Sequence, residues 1–316
     1  MSRPPAPLTL TLVLGAGGAR GLAHVGVLKA LAEAGIPVGA VVGCSIGAEI
    51  GAFFCAGVSA ADLEALVLRM DWKETFRLFR PDFTTGALTR GDRIHAFLAQ
   101  HLGPRDIEDF AIPFACVATD LESGREEVFA RGPALDAVRA SIALPLAIRP
   151  HRIGTRVFAD GGLVDPVPVA VARALFPGPL LAVLVHEGSR PRESWPPPKA
   201  TPAWLAGMQE MLDVEAVERN LPWLSQWLRR NVGNGEADPS LIQVGRRSVE
   251  IMQNRLVELQ LQQTPPDLTL RPKLGNILAL EFHKGVPAMT AGYEAMQAAL
   301  PALRALLGRT HGPERT

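Results

Sequence analysis

The 316-residue chain has only three cysteines, Cys44, Cys55 and Cys116. They show no CxxC spacing and no histidine at ligand spacing, which argues against a disulfide framework and against a zinc site. Net charge is absent too. Thirty-two Lys and Arg balance 32 Asp and Glu, so no global field draws in nucleic acid. The chain has neither an internal repeat nor a low-complexity tract, and it has no clean membrane span. The apolar stretch 8–14 is short and runs into glycines, unlike a signal peptide. The stretch 38–58 is long enough to span a bilayer, but it carries Glu49 and a glycine-flanked turn. A strand, a tight turn and a buried helix explain it better. What is present is core material, at 47% hydrophobic and 20% charged. That composition suits a soluble α/β protein of a reducing compartment, with about two domains or one large one.

Strand and helix patterns alternate from the start, which argues for a mainly parallel sheet covered on both faces. Residues 8–14 and 38–44 read as buried strands, with helices over 22–34 and 46–56. Ser59 is placed to cap a helix running to residue 70. The aromatic-rich stretch 71–90 reads as an irregular loop and 91–101 as a helix. Strands are expected over 114–119, 126–130, 155–159 and 180–186, and helices over 135–143 and 167–175. Residues 190–202 hold five prolines and form a linker or lid candidate. Beyond them come helical patterns over 203–232 and 243–263, a short strand near 267–270 and a helix near 289–307.

Gly43-Cys44-Ser45-Ile46-Gly47 is a G-x-S-x-G set between a predicted strand and a predicted helix. Acyl-transfer chemistry needs that context. The sharp turn lifts the serine hydroxyl above the sheet, and the helix N-terminus supplies partial positive charge near the attacked carbonyl. A serine serving only as a helix cap is the plainer alternative.

The first strand ends in Gly15-Ala16-Gly17-Gly18-Ala19-Arg20-Gly21. A dinucleotide loop fails here, because Arg20 takes the sixth position of G-x-G-x-x-G and no acidic residue ends the second strand. The better reading is a run of backbone N–H groups shaped to hold an oxyanion beside Ser45. Gly17, Gly18 and Ala19 are the expected donors. Arg20 would orient the loop or meet an anionic substrate group.

A serine nucleophile needs a base. His24, His95, His101, His151 and His186 are candidates, but none stands in a setting that marks it out. Ala159-Asp160-Gly161-Gly162 follows a short strand, and its paired glycines allow a turn that brings a carboxylate beside the serine. In a dry site such a carboxylate can take the serine proton itself. An ordinary Asp-Gly turn is the alternative.

The glycine loop, the Ser45 turn and Asp160-Gly161-Gly162, in that order, resemble the patatin-like phospholipase family. Residues 118–124, 140–145, 160–168, 251–253, 266–267 and 292–295 are similar to its bacterial branch, near the catalytic domains of neuropathy-target-esterase type proteins. The resemblance covers nearly the whole chain. It implies a three-layer α/β/α hydrolase with a mainly parallel sheet and a helical C-terminal part. A catalytic domain is expected over 10–175, with 176–316 as an extension packed on the same unit. It also implies a Ser–Asp dyad, with Ser45 as nucleophile and Asp160 as proton acceptor, and assigns the glycine loop to the oxyanion hole. Gly15, Gly21, Gly43, Gly47, Gly161 and Gly162 would support it. Two positions depart from the family pattern. Cys44 stands where Thr is usual, and Asp165 where Asn is usual, so a second acid near Asp160 could raise one of their pKa values.

The expected activity is hydrolysis of acyl esters of phospholipids or lysophospholipids through an acyl-enzyme, with no metal and no cofactor. Alternatives are a general carboxylesterase or thioesterase on soluble substrates, or a silent lipid-binding regulatory protein. The expected location is cytoplasmic, with peripheral contact at the inner membrane face. Arg139, Arg149, Arg152 and Arg156 with His151 form an acid-free stretch leading into Asp160, read either as an anion site near the cleft mouth or as a solvated loop. Trp195, Trp204, Trp223 and Trp227 cluster after the catalytic motifs, with Trp223, Trp227 and Arg230 sharing one helical face, which suits either a helix lying in a membrane interface or one packing its tryptophans on the sheet.

Overall fold

The computed structural model describes residues 9–79, 91–186 and 241–310. Residues Met1–Gly188 and Met252–Thr316 form one compact unit, and Ser189–Ile251 a second. Residue 175 lies within the first unit. The strands on either side of it share one sheet.

That sheet runs β5 (His151–Ile153), β6 (Arg156–Asp160), β3 (Phe114–Asp120), β2 (Val38–Cys44), β1 (Leu10–Leu14), β7 (Leu180–Val183), β8 (Leu268–Leu270), with β4 (Glu126–Phe129) also on β3. The pairs β1–β2, β1–β7, β2–β3 and β7–β8 are parallel. The pairs of β3 with β4 and β6, and of β5 with β6, are antiparallel. The central strands are apolar throughout because both faces are covered. Leu12 and Leu14 enter one core cluster and Val13 the other, the period of two expected of a strand.

The first face carries α1 (Ala23–Glu33), α2 (Ile46–Cys55), α3 (Ala60–Arg69), α5 (Asp92–Leu102), α6 (Ala134–Ser141) and the C-terminal α9 (Gly285–Thr310). The opposite face carries α7 (Val169–Leu175) and, through Val257, α8 (Leu241–Gln263). Ser59 accepts the Asp62 N–H at 3.1 Å, a cap that contributes about 1 kcal/mol. Gly26 of α1 and Gly292 of α9 lie against each other's helix backbones, where a Cβ would collide.

Two expectations change. Part of the loop expected over 71–90 is helical, α4 (Trp72–Phe79), started by the Asp71 carboxylate accepting the Glu74 N–H at 2.8 Å. The arginine-rich stretch before residue 155 contains β5, paired with β6 in a hairpin. Three further expectations lie outside the described residues: the proline-rich linker, the helix over 203–232 and the tryptophan cluster.

Candidate active site

Ser45 follows β2 directly and precedes the first residue of α2. Its φ of 55° and ψ of −125° are uncommon for a side-chain-bearing residue and cost about 1–3 kcal/mol, met by the surrounding fold. Its carbonyl already accepts the Ala48 and Glu49 N–H groups, at 2.9 and 3.1 Å. Gly47 makes the turn possible by close approach, since a Cβ there would strike the Leu14 and Gly15 carbonyls.

The sheet explains how Asp160 reaches Ser45 from 115 residues away. Along β3, Cys116 and Val117 pair with both β2 and β4, so those two strands hold opposite edges. Ala118 and Thr119 pair with both β4 and β6, so β6 shares the edge of β2. Cys44 pairs with Val117, and Asp160 with the next residue, Ala118. One strand runs parallel to β3 and the other antiparallel, so their last residues meet head to head.

At that meeting point the Ser45 Oγ donates to Asp160 Oδ2 at 2.5 Å. Asp160 Oδ1 accepts the Gly162 N–H at 2.8 Å, which fixes the carboxyl plane. The aspartate backbone is held as well, its N–H by the Ala143 carbonyl at 3.0 Å and its carbonyl by Thr119 Oγ1 at 2.8 Å. Asp160 is 1% exposed. Burial pushes its carboxyl up to about 6, against the pull of the Ser45 and Gly162 hydrogen bonds. Such a group is ionised at neutral pH yet more basic than an exposed aspartate, so it can take a proton from a hydroxyl in contact with it.

The glycine loop lies beside this pair. The N–H groups of Gly15, Ala16 and Ala19 are given to the carbonyls of Val183, Pro166 and Ala279, at 3.1, 2.8 and 2.8 Å. Ala19 is therefore not a free donor, contrary to expectation. Among the described residues no backbone carbonyl takes the N–H of Gly17 or Gly18. Gly18 has φ 58°, and a Cβ there would strike the Ala279 carbonyl. Arg20 is buried, and its Nε donates to the Gly17 carbonyl at 3.3 Å, so it orients the loop. Across the gap, a Cβ on Gly162 would reach within 3.4 Å of Ala16, which brings the loop and the Asp-Gly-Gly turn together.

Three of the candidate histidines do other work. His24 Nε2 donates to the Gly15 carbonyl at 2.8 Å, and burial lowers its pKa to about 4, so the neutral ring anchors the loop. His151 pairs with Asp136 at 2.8 Å, and His101 bonds the Phe97 carbonyl at 2.9 Å. Asp160 is the one hydrogen-bond partner of the Ser45 hydroxyl among the described residues.

The arginine stretch is largely occupied. Arg156 binds Asp120 and Glu127 at 2.7 and 2.6 Å, Arg139 is buried with Nη2 on the Arg149 carbonyl at 3.1 Å, and Arg152 bonds the Thr155 carbonyl at 3.1 Å. Asp165 is buried, and its own burial and the neighbouring Glu126 push its carboxyl up. The shift of Asp160 comes from burial, not from a second acid. Cys44, Cys55 and Cys116 are free and buried, and a Cβ on Gly161 would lie 3.0 Å from Cys44 Sγ.

Ser141 was missed as a site residue. Its fully buried Oγ accepts the Ser45 N–H at 2.9 Å and donates to the Val117 carbonyl at 2.7 Å. It fills the slot on β3 left between the ends of β2 and β6. The only sequence signal was its place in 140–145, a stretch noted for resemblance and not for chemistry.

The sequence of this sheet and site matches known proteins. The profile of the patatin-like phospholipase family covers residues 12–173. An uncharacterized NTE family protein of Mycobacterium tuberculosis is 30% identical, over 93% of this chain and 91% of that protein. The lysophospholipase NTE1 of Pyricularia oryzae is 27% identical over 90% of this chain, which corresponds to 18% of the fungal protein. Among solved structures, VipD of Legionella pneumophila has the same fold, with a TM-score of 0.55 at 13% identity, over 94% of this chain and 67% of that one. The chain belongs to the patatin-like phospholipase family. It is an α/β hydrolase of carboxylic ester bonds, in the lipid acyl hydrolase class.

Proposed function

We propose that the protein cleaves acyl esters of phospholipids or lysophospholipids with a Ser45–Asp160 dyad. The observation that carries this reading is the 2.5 Å hydrogen bond from Ser45 Oγ to a buried carboxylate. Asp160 takes the hydroxyl proton as Ser45 Oγ attacks the ester carbonyl. The N–H groups of Gly17 and Gly18, beside the partial positive charge at the start of α2, stabilise the tetrahedral oxyanion. Asp160 then gives its proton to the departing alkoxide, leaving an acyl-enzyme. Water, deprotonated by the same carboxylate, releases the fatty acid and restores Ser45.

The lysophospholipase name of the fungal relative supports a lipid ester as substrate. Among the described residues no helix is long and apolar enough to cross a membrane. We assign substrate capture to peripheral contact with a lipid surface. Incubation with a mixed lipid extract, followed by mass spectrometry of the products, tests the reading. Free fatty acid and deacylated lipid should accumulate with the wild type and not with Ser45→Ala. Turnover restricted to short soluble esters would instead select a general esterase, and no turnover a silent binder.

A further inference from the structure

Between α1, α2, α3 and α5 lies a cavity of about 70 Å³. At about one water-sized group per 10–15 Å³, it holds roughly five methylene-sized groups. Helix α2 contributes Ile46, Glu49, Ile50 and Phe53. Their spacing of i, i+3, i+4 and i+7 puts all four on one helix face. Every other lining residue is aliphatic, methionine or phenylalanine, so Glu49 is the one polar side chain in the wall. Its carboxyl makes no hydrogen bond or ion pair with any described residue; the side chain is half-buried, and the loss of water around it pushes its pKa up to about 7. Ser45 does not line the cavity, but Ile46, its immediate neighbour, does. Glu49 lies four residues along the helix from Ser45, about 6 Å of rise.

An unpartnered carboxyl in an apolar wall is costly, and the fold gains nothing from it. An amine would demand the ionised carboxylate and strand a charge pair without further hydrogen bonds. A hydroxyl fits, because a neutral carboxyl both donates and accepts. The apolar remainder fits a hydrocarbon chain.

We propose that this cavity receives the acyl chain of the ester and that Glu49 selects chains bearing a hydroxyl group along their length. The proposal rests on Ser45 being the nucleophile. The helix rise places the selected hydroxyl at roughly the fifth carbon or beyond, counted from the reacting carbonyl. Plain chains enter but leave the Glu49 carboxyl unpaired, and a site built to bond a hydroxyl discriminates against the analogue that lacks it.

The test compares kcat/KM for p-nitrophenyl decanoate and its isomers hydroxylated from the sixth carbon outward, in the wild type, Glu49→Gln and Glu49→Leu. The wild type should prefer the best hydroxylated isomer by about tenfold or more. Glu49→Gln, whose amide also donates and accepts, should keep part of that preference. Glu49→Leu should lose it, with kcat/KM for plain and hydroxylated chains becoming equal. Equal kcat/KM for plain and hydroxylated chains in the wild type would overturn the proposal. So would a preference that survives unchanged in Glu49→Leu. Failure of the catalytic reading looks different: turnover of the plain ester would then persist in Ser45→Ala.

Discussion

Ser141 holds the backbone of Ser45 in place. One buried hydroxyl accepts the Ser45 N–H at 2.9 Å and donates to Val117 at 2.7 Å, bridging the strained turn to the strand beneath. Ser141→Ala leaves a buried donor and a buried acceptor unpaired, at about 1–3 kcal/mol. It also frees a residue with φ 55° to relax, and a misplacement of about 1 Å can cost 10²-fold. Steady-state kinetics should show kcat down by about 10- to 100-fold with KM little changed, and Ser141→Thr should restore much of it. A fall in melting temperature with wild-type kcat would make Ser141 a purely structural residue.

The pH profile should report Asp160. The base works only when ionised, and burial sets its pKa at about 6. kcat/KM on an uncharged ester should therefore be level above pH 7 and fall on acidification through about 6. A profile that stays flat to pH 4, where only an ordinary exposed aspartate begins to protonate, would contradict this environment.

Stability should run against activity. Asp160 and Glu49 bind their protons more tightly in the folded chain than in the unfolded one, with folded values of about 6 and 7 against 3.8 and 4.5. Below pH 4 both are protonated in both states and contribute nothing. As pH rises through the window from about 4 to 7, the unfolded chain loses these protons first, so stability falls. Asp160→Asn and Glu49→Gln should each relieve about 1–3 kcal/mol of this cost at pH 8 and little at pH 4. Urea unfolding at the two pH values measures it, and equal effects at both would refute the assignment.

Arg152 and Arg156 should not act as an anion site. Arg156 is held by Asp120 and Glu127, and Asp120 also accepts the Glu122 and Ser123 N–H groups of the turn after β3. Arg156→Gln should lower stability only slightly, as expected of a half-exposed pair. Neither Arg152→Gln nor Arg156→Gln should change the ratio of turnover on anionic and zwitterionic vesicles. A selective loss on anionic vesicles would return these residues to substrate binding.

Local pattern carried much of this, and distance hid the rest. The strand–turn–helix around Ser45 and the glycine loop are contiguous in sequence, so residue type and spacing reveal them. Ala19 could not be removed from the donor set without Ala279, which takes its N–H from 260 residues away. Ser141 acts on Ser45 across 96 residues and has no spacing signature of its own. Helix α4 hid because its aromatic content suggested a loop, and β5 because its arginine and histidine mask a strand at the sheet edge.

The rate of phosphonylation separates the dyad from every alternative base. Wild type and Asp160→Asn should be mixed with an alkyl fluorophosphonate and the adduct located by peptide mass spectrometry. The account predicts a single adduct on Ser45, formed about 10²–10⁴-fold more slowly in Asp160→Asn while the fold persists. Labelling of Ser45 at the wild-type rate in Asp160→Asn would contradict it.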